Sequence, residues 1–336
     1  MDRLLEHPMK YSKSIPEMLE NVSRTFALSI RYLPTALRQP VGLSYLLYRV
    51  SDCIEDHKDM LSERKISLLE AWNGVLQGQT NALEFAHQIS DLDHNDPEVY
   101  VAQQAPELIA ALDDIPSELR TTIISRVSES TIGMAHWQKQ GPFIANLAEM
   151  DDYMHYVAGL VGYLMTDLFS WYSTRFYARK AELIPMSHEI GLGLQTVNVI
   201  RGLRSDYERG WVFIPQDMLA AAGLDREKFF HAEYEDRAMD VVNQLIDKAQ
   251  GHLQFGLAYI SALPRQFHRL RLACIWPLCF ALKTLAISRN NVEVLRSEVK
   301  ITRRDVKTIM RKTILMGWSD RWLYGYIARL SQRSVG

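Results

Sequence analysis

The sequence predicts an all-α fold in a single domain, and three observations carry the prediction. Alternating, β-branched runs bounded by turn residues, which would mark strands, are nearly absent. Apolar residues recur instead at three- and four-residue spacing through most of the chain, the pattern of helices with one buried face. Hydrophobic residues make up 47% of the 336, enough to fill one large helical core.

Taken in order, helices are expected over 15–33, 37–58, 62–79, 96–113, 116–139, 148–176, 182–209, 233–261, 266–289 and 302–332, with loops at 81–98, 208–218 and 288–300. Each rests on apolar spacing, and several carry a further cue. In 37–58, Leu46, Leu47, Val50 and Ile54 form an inward face. In 148–176, the small residues Ala158, Gly159 and Gly162 would let another helix or a ligand approach closely. In 266–289, the run LACIWPLCFAL lasts about 11 residues before Lys283, short of the roughly 20 that a membrane span needs, so it reads as a buried helix. In 302–332, Trp318, Trp322, Tyr324 and Tyr326 mix with Arg321, Arg329 and Arg333, which suits ordinary packing on the helical body or rest on a membrane surface. None of the loops has the length or bias of an interdomain linker, and no internal repeat is visible.

Composition excludes several classes. A net charge of −2 gives no global footprint for nucleic acid. The three cysteines, Cys53, Cys274 and Cys279, form no CxxC pair, and no His cluster stands at metal spacing, which suits a reducing compartment without structural zinc. The opening MDRLLEHPMKYSKS is too polar for a secretory signal. A cytoplasmic protein, soluble or peripheral at a membrane, is the expectation.

The segment SYLLYRVSDCIEDHKD holds the densest chemistry. On a helix, Asp52, Glu55 and Asp56 stand at i, i+3 and i+4 and share a face, which Tyr45 and Arg49 extend. Like charges at this spacing cost an isolated helix roughly 0.2–0.5 kcal/mol per pair. In a cleft, two carboxylates about 5 Å apart repel by about 3 kcal/mol at an effective dielectric near 20, and a divalent cation reverses that sign. Mg²⁺ suits such a place, because it takes oxygen ligands and uses one or two carboxylates together with substrate phosphates. A solvated acidic helix face would look the same, so the segment alone leaves both readings open.

Two further stretches carry polar or small residues inside apolar runs. In GLGLQTVNVIRGLRSDYERGWVFIPQDM, Gln195, Asn198, Gly202, Ser205 and Asp206 fall on one helical stripe. Arg201, Arg204 and Arg209 flank it and could answer phosphate oxygens through charge-assisted pairs. A helix with a polar exposed face ending near Gly210 is the plainer alternative. In DDYMHYVAGLVGYLMTDLF, Tyr153, Val157 and Val161 line one side of a helix that suits either a buried core or a substrate tunnel.

These segments, in this order, resemble the squalene and phytoene synthase family, most closely its squalene synthases. SRTFALSI (23–30) is similar to the family's SRSFA-type opening, and DCIED to its first aspartate-rich motif, DxxED. YMHYVAGLVG resembles the YxxYVAGLVG helix, and LQTVNVIRGLRSD the second motif, LQxxNIIRDxxxD. IWPLCFALKTLAISRNNVEVLRSEVKITRRDVKTIM is similar to the C-terminal region of squalene synthases, with its NN and VKI elements. The resemblance spans roughly residues 20–310. It implies a single-domain, isoprenoid-synthase-type helical bundle around a central cavity, filling 1–336 with a core of about 15–332.

The resemblance also implies a reaction: two farnesyl diphosphates condense head to head to presqualene diphosphate, which goes on to squalene with Mg²⁺ and NADPH. Carried over by motif, Asp52, Glu55 and Asp56 would bind Mg²⁺, and Arg49 and Tyr45 would hold diphosphate. Tyr153 matches the tyrosine of the first half-reaction. Ser23, Phe26, Val157 and Val161 would meet substrate, and Gln195, Asn198 and Arg201 would face the pocket. The second motif departs from the family: Gly202 stands where its first aspartate is expected and Ser205 where another acid would be. Asn198 and Asp206 are therefore the expected ligands there, with a water in place of the missing one; Glu208 points to a different face. No GxGxxG follows a strand, so NADPH would need another site, for which Lys300, Arg303 and Arg304 are nominated. The membrane-spanning tail of eukaryotic squalene synthases is not expected here. Three alternatives use the same residues: arrest at presqualene diphosphate, formation of dehydrosqualene, or coupling of longer prenyl chains to phytoene. A catalytically silent relative acting as a binding factor is a fourth, although such a relative would be expected to lose the acids that survive here.

Overall fold

A computed structural model describes residues 14–332, with the backbone alone for residues 14 and 24–26. The polar N-terminus read as excluding a signal, and Arg333, lie outside the described residues. Every named element is a helix, and one isolated parallel bridge pairs Phe143 with Val212. The chain builds two compact units, one from residues up to 140 with 163–184, the other from 141–162 with 185 onward.

In the first unit, the expected helix 15–33 is two helices, α1 (Ser14–Val22) and α2 (Arg24–Tyr32), parted at Ser23. α3 (Thr35–Asp56) follows, then α4 (Ser62–Leu76). The segment read as a loop over 81–98 contains α5 (Ala82–Gln88), because Asn81 caps it by accepting from the Leu83 amide and Phe85 is buried against Trp72. The helix expected over 96–113 divides into α6 (Pro97–Gln103) and α7 (Ala105–Ala111). Pro106 lies in the first turn of α7, where its missing N–H leaves no bond unmade. α8 (Ser117–Gln140) packs on both α3 and α4, and α6 packs on α3. Ser51 and Thr131 join α3 to α8 through a buried 2.8 Å hydroxyl pair.

The helix expected over 148–176 is interrupted twice. α9 (Leu147–Met154) runs into a π-helical turn at residues 155–159, α10 (Leu160–Tyr172) resumes the α register, and α11 (Thr174–Tyr177) follows a break at Ser173. α12 (Lys180–Glu208) is continuous. The loop read at 208–218 ends in α13 (Gln216–Ala221), and the one at 288–300 holds a 3₁₀ turn at Val292–Leu295.

α14 (Glu235–Ala262) and α15 (His268–Ser288) form the core of the second unit, with α16 (Arg303–Met316) and α17 (Asp320–Leu330) against α15. The single helix expected over 302–332 breaks at Gly317, and Ser319 starts α17 by capping the Trp322 amide. Arg271 is fully buried; it donates to the carbonyls of Ile260 and Leu263 and pairs with Asp320, fixing α14, α15 and α17 together. The apolar stretch judged too short for a membrane span belongs to a helical run, Arg265–Ser288, that has the length and composition to cross one. Two thirds of its most apolar window is nonetheless buried within the protein, as a core helix requires. All three cysteines are free thiols.

Candidate active site

α3 carries the first group. Leu46, Leu47, Val50 and Ile54 are buried, as their spacing predicts. Tyr45, Arg49, Asp52 and Asp56 form the open stripe of the same helix. Ser23, at the start of α2, hydrogen-bonds the Tyr45 side chain, so the structure brings these two together. Arg49 donates from Nη1 to Asp52 Oδ2 at 2.9 Å and pairs through Nη2 with Glu98 in the first turn of α6. Its Nε is buried with no acceptor. Burial pushes the Asp52 carboxyl up to about 6; Arg49 opposes that shift, while Asp56 and Glu98 reinforce it.

Glu55 does not share this stripe. It is 7% exposed, and its carbonyl accepts a 2.6 Å bond from the buried Lys65 of α4. The three-residue step turns Glu55 about 60° from Asp52, onto the flank that α4 covers, whereas Asp56 turns about 40° the other way and stays open. Phe26 lies in α2, but its side chain is outside the described residues.

The second unit holds the remaining nominees. Tyr153, the penultimate residue of α9, is buried and stacked on Phe213 at 4.8 Å, and Phe213 is stacked on Trp211 at 5.4 Å. The π turn that follows shifts the register, so Val157 and Val161 are half-buried where Tyr153 is enclosed. The small residues near them serve a helix. A Cβ on Gly162 would meet the Ser187 carbonyl oxygen at 2.2 Å, one on Gly191 the Ala158 carbonyl oxygen at 2.5 Å, and one on Gly159 the His188 ring at 2.7 Å. The π turn and the start of α10 thus touch α12 backbone to backbone, and only glycine fits.

Further along α12, Asn198 donates to Gln195 at 3.1 Å. Asp206 accepts from Arg209 at 2.5 Å and stands over Gly202, where a Cβ would lie 3.2 Å from Asp206 Oδ2. The carboxylate therefore occupies space that a side chain at 202 would claim. The flanking arginines are engaged: Arg201 pairs with Glu298 at 2.9 Å and Arg204 with Glu208 at 2.9 Å. Lys300 shares the Glu298 carboxylate at 2.5 Å, and Arg303 is exposed in the first turn of α16, which a Thr302–Asp305 capping box begins.

The α3 group fits Mg²⁺ and a diphosphate. Two hard carboxylates of like charge at one end of a helix, with an arginine nitrogen buried and unanswered, form a donor set that a divalent cation and phosphate oxygens complete. Among the described residues no group of three His, Cys, Asp or Glu side chains stands where it could hold a metal ion unaided.

Sequence reasoning missed Glu98, Trp211, Phe213 and Glu298. Glu98 lies in the first turn of the helix expected from residue 96, which the Asp96-Pro97 pair begins, but its reach to Arg49 is a tertiary contact that no local signal marks. Trp211 and Phe213 alternate just past Gly210, whose φ of 86° turns the chain out of α12.

A helical fold with a paired-acid and arginine site of this kind defines a class, and sequence comparison assigns the family. The squalene/phytoene synthase family model matches residues 19–305, so the chain belongs to that family, one of prenyl-transferring enzymes. Squalene synthase of Rattus norvegicus is 29% identical over 322 residues, covering 96% of this chain and 74% of the rat protein. That of Homo sapiens is 27% identical over the same coverage. Among solved structures, a ligand complex of TcSQS superposes with a TM-score of 0.79 at 24% identity, covering 95% of this chain and 90% of the other. A dehydrosqualene synthase with ligand gives 0.60 at 15%, covering 90% and 94%. These likenesses confirm the all-α fold.

Proposed function

We propose that the protein condenses two farnesyl diphosphates head to head to presqualene diphosphate, using Mg²⁺, and carries the product on to squalene with NADPH, in the cytoplasm or at a membrane surface. The observation that carries the reading is Arg49, held between Asp52 and Glu98 with a further N–H to give. Mg²⁺ held by Asp52 and Asp56 would supply the positive charge that draws off a diphosphate leaving group. Arg49 answers the same developing charge from a fixed position, since its two carboxylate partners hold the guanidinium before substrate arrives. Tyr45, tied to Ser23, would help to hold the diphosphate beside Arg49. Tyr153 is immobilised by the Phe213–Trp211 stack, which suits a ring or hydroxyl that must meet a reactive cation without admitting water. Asn198 and Asp206 would take the second cation, and Gln195 orients Asn198. Val157 and Val161 would contact the prenyl chains.

One observation favours a second reading, in which catalysis stops at presqualene diphosphate or at dehydrosqualene. Lys300, nominated with Arg303 for NADPH, shares the Glu298 carboxylate with Arg201, so less of its charge is free for a cofactor phosphate. Incubating the purified protein with farnesyl diphosphate and Mg²⁺, with and without NADPH, separates these readings by product mass. Squalene only with NADPH supports the first reading. The same non-reduced product in both tubes supports the second, and unconsumed substrate in both overturns the two together.

A further inference from the structure

The end of α16 and the outer face of α17 remain unaccounted for by any catalytic role. Leu315 is 70% exposed, Trp318 48%, Tyr324 50% and Met316 38%, four large apolar side chains within ten residues. Elsewhere among the described residues the exposed large apolar side chains are scattered along the sequence, with Phe143 and Leu147 the nearest to one another. The inner face of α17 shows that this is not failed packing. Leu323, Tyr326 and Ile327 are buried, and Trp322 stacks on Tyr326 at 4.7 Å, so the helix is docked on the body while its tip is left bare.

Charge surrounds that tip. Residues 303–332 hold seven arginines and lysines against two aspartates, in a chain whose net charge is −2. Both aspartates are committed elsewhere: Asp305 closes the capping box with Thr302, and Asp320 answers Arg265 and Arg271. Arg311, Lys312 and Arg321 are exposed, and among the described residues none of them is ion-paired. On α16, Arg304, Arg311 and Leu315 share one stripe, so the cations run up the helix from an apolar end.

We infer that this end of α16 and α17 is a docking surface for an anionic lipid bilayer, with Leu315, Met316 and Trp318 entering the headgroup boundary and Arg311, Lys312 and Arg321 meeting lipid phosphates. The chemistry matches both layers of a membrane surface: Trp and Tyr prefer the interface, aliphatic tips go below it, and basic side chains add about 1 kcal/mol each near anionic lipid, or about fivefold in partitioning. A protein partner would require complementary acids, and a second copy of this chain would set these unpaired cations against their own kind.

The test is co-sedimentation of the full chain with phosphatidylcholine vesicles, with and without phosphatidylserine, at low and high salt. Binding to the anionic vesicles that weakens in salt is expected. Leu315→Glu/Trp318→Glu should lower the partition coefficient by about tenfold or more, and Arg311→Glu/Arg321→Glu should remove the preference for phosphatidylserine. All four positions are exposed, and an unchanged melting temperature for each variant certifies the fold. Should a double variant unfold, loss of brominated-lipid quenching in Trp318→Phe gives the same information. Absence of binding by the parent chain overturns the inference. Equal binding by Leu315→Glu/Trp318→Glu overturns it too, as does a parent dimer that this variant abolishes without any vesicle binding. None of these readouts depends on catalysis, so failure here and failure of the proposed reaction are distinguishable.

Discussion

α3 and α12 each present polar side chains along one stripe of a long helix, yet they handle charge in opposite ways. On α3, three carboxylates (Asp52, Asp56 and Glu98) surround a single guanidinium, and burial leaves Asp52 reluctant to ionise. On α12, one carboxylate, Asp206, is matched by one arginine, Arg209, and leans into the space above Gly202. The first gathers more carboxylate than guanidinium about Arg49 and would gain from a divalent cation; in the second the Asp206–Arg209 pair balances its own charge. Two helices with similar hydrophobic patterning can thus differ in what they ask of a ligand, and the difference lies in which neighbours supply the counter-charges.

The largest consequence is for activity. Asp52→Asn should lower kcat/KM for farnesyl diphosphate by about 10²–10³-fold, because in the proposed reaction it would remove charge where the leaving group departs. Asp206→Asn should cost less, about tenfold, and chiefly in KM for the metal, since Arg209 already neutralises part of that carboxylate. A steady-state assay across Mg²⁺ concentrations checks both. Equal losses would erase the contrast drawn between the two helices.

How far this contrast was legible in the sequence depends on distance along the chain. The Tyr45–Arg49–Asp52–Asp56 stripe could be read from the helical period, because every member lies within twelve consecutive residues. Glu98 could not, since it reaches Arg49 only through the packing of α6 on α3. The same limit hid the stack on Tyr153: Phe213 and Trp211 lie on a segment whose strand-like alternation is too short to announce itself, and whose bridge to Phe143 is a tertiary pairing. The π turn at residues 155–159 was equally silent, because a one-residue change of register leaves the apolar spacing almost intact. The all-α class was legible throughout, while helix ends set by single caps such as Asn81 and Ser319 needed the backbone.

The stack offers a smaller test on the α12 side. Phe213→Leu keeps an apolar side chain but removes the ring between Tyr153 and Trp211. A loss of about three- to tenfold in kcat with little change in KM is expected, from a Tyr153 free to move, and Phe213→Tyr should restore most of it. A loss in Phe213→Tyr as large as in Phe213→Leu would show that the stack does not position Tyr153.

On the α3 side, the raised carboxyl of Asp52 makes a prediction about stability in metal-free protein. Its folded value of about 6 lies above the ordinary value of about 3.9 for an unfolded chain. The folded state therefore favours the protonated acid: that stabilisation is complete below about pH 3.9 and is lost progressively as pH rises from there through about 6. Asp52→Asn, a neutral mimic, should raise the melting temperature in EDTA by a few degrees at pH 8 and by only about a third as much at pH 4.5. Melting curves at the two pH values decide it, and an equal shift at both would mean that the Asp52 environment is not strained by charge.

The smallest effect is expected where the two helices differ most plainly, at residue 202. Gly202→Asp brings in the acid that the second motif otherwise lacks, but its Cβ would stand 3.2 Å from Asp206 Oδ2, closer than a comfortable contact. The Asp206 carboxylate is the end of a short flexible side chain, so it can swing aside, at the cost of its bond to Arg209. Two adjacent carboxylates would then compete for one arginine, a surplus of negative charge like that on α3. If Asn198 and Asp206 already hold the second cation with water in the missing place, the new acid adds a ligand where none was needed, and activity at saturating Mg²⁺ should change by less than about threefold. The Mg²⁺ concentration for half-maximal rate should fall, because an anionic ligand replaces a neutral one. A large rise in kcat at saturating Mg²⁺ would mean that the α12 site of the parent chain is incomplete, and that Asp206, paired as it is with Arg209, serves to hold the end of the helix rather than to bind metal.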